Sequence, residues 1–196
     1  MYQITDRYIK HEYLWMNKTC GWVSIPKNAN MMLRVVCDNF NMNYRHRTEV
    51  NPKTTFCVMR NPYTRILSGI GEYRQRNLRH RSKVTWTQLL EKLLDDPKTF
   101  DEHLEPQVAF MEGYYFTHIM RFEKLLPELL EWEYFKKDSK FIKRIVSTER
   151  SQISKHMDLD TILNENKILV DSLVKKYYNQ DYEIWLNPTK YLNKKI

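Results

Sequence analysis

A chain of 196 residues with 42% apolar and 13% aromatic side chains can bury a substantial core, which excludes a disordered polypeptide and fits a single domain over residues 1–196. No apolar run reaches the roughly 18–20 residues that span a bilayer, and the N-terminal MYQITDRYIKHEY is not a signal peptide, so the chain reads as cytoplasmic with no membrane partner. The net charge of +8 favours an anionic ligand, but the basic residues are interleaved with 24 acids and no nucleic-acid motif is present, which argues against nucleic acid as the partner.

In chain order, the apolar run Trp22–Ile25, closed by Pro26, predicts a buried strand. It runs into the short loop Pro26-Lys27-Asn28-Ala29-Asn30, and from Met31 to about Asn41 the apolar positions 32, 33, 35, 36 and 40 predict a helix. Thr55–Met59 (TFCVM) predicts a second strand, ended by Arg60-Asn61-Pro62. A helix follows, with Ile66, Leu67, Ile70 and Tyr73 on one face. Trp86–Leu94 predicts an amphipathic helix, His118–Arg121 a third strand, and EKLLPELLEWEYF a helix with Pro127 near its start. Asn164–Tyr178 reads as one long helix. Strands alternating with helices predict an α/β domain with a mainly parallel central sheet.

Cys20, Cys37 and Cys57 are too few and too irregularly spaced for a disulfide framework or a zinc site, so buried free thiols are expected. The chemistry concentrates in the two strand–loop–helix junctions. In an open parallel sheet, ligands sit at the carboxyl ends of strands, where unsatisfied N–H groups and the helix dipole attract phosphate. Lys27 adds a mobile point charge at the first junction, and Arg60 a forked, permanently charged donor at the second. Ser68 follows Arg60 by about two helical turns and can offer a hydroxyl to the same anion. Two neighbouring anion sites point to one ligand with two separated phosphate groups. A glycine-rich GxxxxGK[ST] loop of the small-kinase kind is absent.

IPKNANMMLRVV resembles the loop that grips the 5′-phosphosulfate in sulfotransferases, and MRNPYTRILSGIGEYRQR resembles their 3′-phosphate segment. DEHLEPQVAFM is similar to the acidic-x-His-x-x-Pro-Gln segment of the carbohydrate (Golgi-type) branch. HIMRFEKL is similar to its RFE-x-L stretch, and VKKYYNQDYEIW to its closing Y-x-x-D-aromatic helix. The matches fall in family order over roughly residues 22–186. The resemblance implies a P-loop-like three-layer fold, a short soluble bacterial or viral form, and the donor 3′-phosphoadenosine 5′-phosphosulfate (PAPS), with PAP as product and no metal. It implies binding by Pro26, Lys27, Asn28, Ala29, Asn30 and Met31 at the 5′-phosphate and by Arg60 and Ser68 at the 3′-phosphate. Arg150, Ser151 and Lys155 would lie on a loop closing over the nucleotide. Asn30 and Met31 stand where family members usually have Ser or Thr, so one can offer an amide and the other only its backbone N–H. The acceptor expected is a carbohydrate or small hydroxyl compound. Its general base is sought among His46, Glu49 and His103, because the step needs a proton acceptor of suitable pKa. Arg65 could bind nucleotide or pair with a tertiary partner, while Trp86 and Trp132 read as core or groove lining. The alternatives are a sulfotransferase-like nucleotide-binding protein without catalysis and a basic nucleic-acid-binding protein.

Overall fold

The computed structural model describes residues 13–46, 52–77, 84–153 and 158–196. It opens with strands β1 (Tyr13–Met16) and β2 (Cys20–Val23), joined by a turn in which the Asn17 side chain accepts the N–H groups of Thr19 and Cys20, both at 2.9 Å. Helix α1 (Asn30–Asn39) leads to β3 (Asn43–His46), and β4 (Thr54–Met59) leads to α2 (Pro62–Asn77). Helix α3 (Trp86–Asp95) starts at a reciprocal cap between Thr85 and Gln88. Two 3-10 turns (Pro97–Thr99 and Glu102–Leu104) and the short α4 (Gln107–Met111) precede β5 (His118–Arg121). After a 3-10 turn at Phe122–Lys124 come α5 (Leu125–Glu131), α6 (Glu133–Lys136), α7 (Ser139–Ile153), α8 (Leu159–Glu165), α9 (Lys167–Tyr177) and α10 (Asn179–Leu186).

The five strands form one sheet in the order β3-β1-β2-β4-β5. Strands β2, β4 and β5 are parallel, but β1 is antiparallel to both of its neighbours. The sheet is therefore mixed, and the expectation of a mainly parallel one is corrected. The cause is β1, whose YLWM lies at the end of a stretch that reads as polar and aromatic; it inserts between β2 and β3 and splits the parallel set.

Alternating side chains divide the core between the two faces of the sheet. Trp22 and Phe56, stacked with centroids 6.5 Å apart, face a cluster that includes Leu33 and Val36 of α1, Leu129 of α5, Phe135 of α6 and Ile142 of α7. Val23, Cys57 and Ile119 face Phe110 and Met111 of α4 and Ile184 of α10. A third cluster joins α2, α3 and α9 through Ile66, Leu67, Ile70, Leu90, Val170 and Leu173. All three cysteines are free and buried; burial pushes the Cys20 thiol up to about 12 and raises Cys37 and Cys57, so they stay protonated. Among the described residues, no helix is long and apolar enough to cross a membrane.

Two expected helices are each broken in two. Asn166 separates α8 from α9, its side chain accepting from Thr87 Oγ1 at 2.8 Å and donating to the Ile162 carbonyl at 2.9 Å, a tertiary bond that local periodicity does not carry. Trp132, in extended backbone conformation, separates α5 from α6 and stacks on His118 with centroids 4.0 Å apart.

Gly69, inside α2, lets a distant segment approach. A Cβ there would lie 2.8 Å from the His103 carbonyl oxygen and 2.8 Å from Leu104 Cδ2. Gly69→Ala is expected to cost about 1–3 kcal/mol despite alanine's better helix propensity, because backbone must move to admit the methyl group; urea unfolding of the two proteins measures it.

Candidate functional site

The parallel strands β2, β4 and β5 end side by side, and each runs into one of the singled-out motifs. The β2–α1 loop contains no glycine, yet Lys27 and Ala29 both have left-handed backbone angles, with φ of 70° and 64°. Such a conformation costs roughly 1–2 kcal/mol per non-glycine residue, so something must hold it. Two arginines do. Arg65 Nε donates to the Pro26 carbonyl at 3.2 Å, and Arg60 Nη1 to the Lys27 carbonyl at 3.3 Å. With these carbonyls tied down, the loop turns into α1, whose first three N–H groups, at Asn30, Met31 and Met32, find no acceptor among the described residues. No acidic residue sits in that first turn. The helix end is a positive electrostatic terminus suited to an anion.

Beneath the loop lies a buried polar network. The Gln107 carboxamide pairs with the backbone of Arg60 in both directions, donating to its carbonyl and accepting its N–H, each at 2.9 Å. The same Gln107 oxygen accepts from Asn28 Nδ2 at 2.6 Å, and Asn28 also donates to the Val58 carbonyl at 2.6 Å. Asp181 of α10 accepts the N–H groups of Gln107 and Val108, at 2.7 and 2.9 Å, so a buried carboxylate caps α4. Arg65 donates to the Glu105 carbonyl at 2.6 Å. Arg65 is fully buried, and burial lowers its pKa against the raising influence of Asp181. Arg60 is drawn down to about 10, first by burial, and so stays charged at neutral pH; its guanidinium lies over the Phe122 ring at 4.8 Å. Glu123 accepts the Asn61 N–H and the Trp185 indole N–H, each at 2.9 Å, tying the RFE stretch to the second junction.

On the α2 side of the loop, Lys27 Nζ pairs with Glu72, and Arg76 pairs with the same carboxylate. His103 Nε2 lies 3.5 Å from Glu72, while its Nδ1 is 3.0 Å from Asp101. Burial alone would raise the Glu72 pKa, but the hydrogen bond and charge of Lys27, with His103 and Arg76, outweigh it and hold it below its ordinary value.

Of the predicted residues, Pro26, Lys27, Asn28, Ala29, Asn30, Met31, Arg60 and Ser68 belong to these two junctions, and His103 joins them through Glu72. Met31 is 75% exposed, so at that position only its backbone N–H serves the loop. Asn28 is engaged below the loop, and its Oδ1 is buried without a partner. His46 sits on β3, an edge strand separated from β2 by β1, about 10 Å away across the sheet. Glu49 and Lys155 lie outside the described residues. Residues 150 and 151 belong to α7 rather than to a loop. Arg65 turns out to brace the loop, its tertiary partners being the carbonyls of Pro26 and Glu105. Sequence reasoning missed Glu72, Asp101 and the hub role of Gln107. The available signal for Glu72 was the face Arg65, Ser68, Glu72, Arg76, which recurs at helical spacing. Trp86 packs against the third core cluster. Trp132 lines a hollow of about 400 Å³ along β5, with His118, Glu128 and Leu192, to which none of the predicted catalytic or donor-binding residues contributes. Among the described residues, no group of His, Cys, Asp or Glu could hold a metal ion.

No protein-family model, curated protein or solved structure matches the chain.

Burial raises Asp181 from its ordinary 3.8 to about 6, against the lowering influence of Arg65 and the two N–H bonds. Between those values the folded chain holds a proton that the unfolded chain releases, so this group's contribution is complete below about 4 and is lost as pH rises through about 6. Wild type should therefore gain on Asp181→Asn as pH falls from 8 to 5, by at most about 1.4 kcal/mol per pH unit. Urea unfolding at the two pH values checks the sign.

Proposed function

We propose that the two junctions bind PAPS and that the chain transfers its sulfuryl group to an acceptor hydroxyl, with a glycan as the first acceptor class. The observation that carries the reading is the convergence of the five family-like stretches on one polar network: the Lys27 loop, the Arg60 junction, the Gln107 segment, the Glu123 stretch and the Asp181 helix bond to one another. Segments that form an ordered set of motifs are expected to share a site, and here they share hydrogen bonds.

In this reading the free N–H groups at Asn30–Met32 receive the 5′-phosphate, and Arg60 with Ser68 receives the 3′-phosphate. The acceptor oxygen forms its bond to sulfur as the bond from sulfur to the bridging phosphate oxygen breaks, and the electron pair leaves with PAP. Lys27 is assigned the cation that meets the charge growing on that oxygen. The acceptor's proton needs a base. Of the three candidates, His103 shares a carboxylate with Lys27, and the tautomer in which Nδ1–H donates to Asp101 leaves Nε2 to take the proton. Lysine and backbone N–H groups carry the charge stabilisation, so no step is assigned to a metal.

PAP should raise the melting temperature strongly and AMP weakly, since AMP lacks the 3′-phosphate; a hundredfold excess over Kd corresponds to about 2.7 kcal/mol. Equal shifts from the two nucleotides sink the donor assignment. With labelled PAPS and a panel of glycans, Lys27→Ala should lower turnover about a hundredfold or more while circular dichroism stays unchanged. Undiminished turnover removes Lys27 from the chemistry.

A further inference from the structure

Resting on that reading, we propose that Glu72 is a positioning residue that competes with the donor: it occupies Lys27 while the anion site is empty and yields it when the phosphosulfate arrives. Lys27 Nζ is bonded to Glu72 Oε2, so the cation assigned to the anion is already neutralised from within the chain. Glu72 can release it at small cost, because its other oxygen keeps Arg76 and faces His103 at 3.5 Å. The pair is partly open, with side-chain exposures of 22% for Lys27 and 20% for Glu72, so an entering anion can reach the ammonium. Rigid parts surround this exchange. Arg60 and Arg65 fix the loop carbonyls, Gly69 seats the His103 segment against α2, and Glu72 sits on α2 one turn beyond Ser68. The long lysine stem is therefore the part free to swing between carboxylate and anion.

The test compares wild type, Glu72→Gln and Glu72→Asp. Two readouts are used: the rate at which an amine-acetylating reagent labels Lys27, read by mass spectrometry, and the affinity for PAP and for inorganic sulfate by calorimetry. Glu72→Gln should label Lys27 several-fold faster and bind both anions roughly two- to fivefold more tightly, the scale of one partly exposed charge pair. Glu72→Asp, which keeps the charge on a shorter stem, should fall between. A purely structural role for Glu72 predicts weaker binding in both variants. Glu72→Gln binding that is equal to or weaker than wild type overturns the proposal, as does unchanged labelling, or a failure of all three proteins to bind either anion. If none binds PAP but Glu72→Gln gains affinity for sulfate along with faster labelling, the competition stands and the PAPS assignment falls.

Discussion

The structure depends on one carboxamide. Gln107 reads the backbone of Arg60 as a neighbouring strand would, with one bond in each direction, and accepts a third from Asn28. Those three bonds join the ends of β2 and β4 through a residue almost fifty positions further along the chain than Arg60. Its own position is set by Asp181, from the far end of the chain, which takes the N–H of Gln107 and of Val108. Because Asn28, Arg60, Gln107 and Asp181 are all buried, an unmade bond among them leaves a desolvated polar group, which costs more than an average hydrogen bond contributes. Two loops, the short helix α4 and the C-terminal helix α10 are thereby locked to one geometry.

That lock explains how a loop without glycine holds two left-handed residues. Phosphate-binding loops commonly use glycine because φ > 0 is free of penalty there. In this chain Lys27 and Ala29 take that conformation with side chains present, and the compensation is external: guanidinium donors on the carbonyls of Pro26 and Lys27. The bracing arginines are themselves buried, so they need counter-charges. Asp181 supplies one for Arg65, and Glu123 one for Arg60. The electropositive face of the loop is thus supported by an acidic layer behind it, while Glu72 balances Lys27 in front.

Much of the fold was legible. Strand β4, helices α1, α2 and α3, and strand β5 are recorded in local apolar spacing and punctuated by Pro26, Pro62 and Pro97, so their periodicity suffices. Strand β1 was not: YLWM is only a four-residue apolar run behind a polar and aromatic stretch, and its antiparallel pairing with both β2 and β3 is set by tertiary partners rather than by its own pattern. The breaks at Trp132 and Asn166 were hidden for the same reason: each is decided by a tertiary partner, His118 for one and Thr87 for the other. At the site, Lys27 and Arg60 stood out because strand–loop–helix junctions announce where charges gather. Glu72 and Asp101 did not, because a carboxylate on an exposed-looking stretch acquires its meaning only from the cations that reach it.

By itself the sequence determined the α/β class, the buried free thiols and the two basic strand-end junctions, all of which follow from hydrophobic period and the chemistry of residues at strand ends. Tertiary structure alone decided the mixed order of the sheet, the bracing of the loop by Arg60 and Arg65, and the meeting of Lys27 with Glu72 and His103. These are contacts between segments tens of residues apart, set by which backbone groups can be buried together with their bonds satisfied, and no local pattern records that constraint.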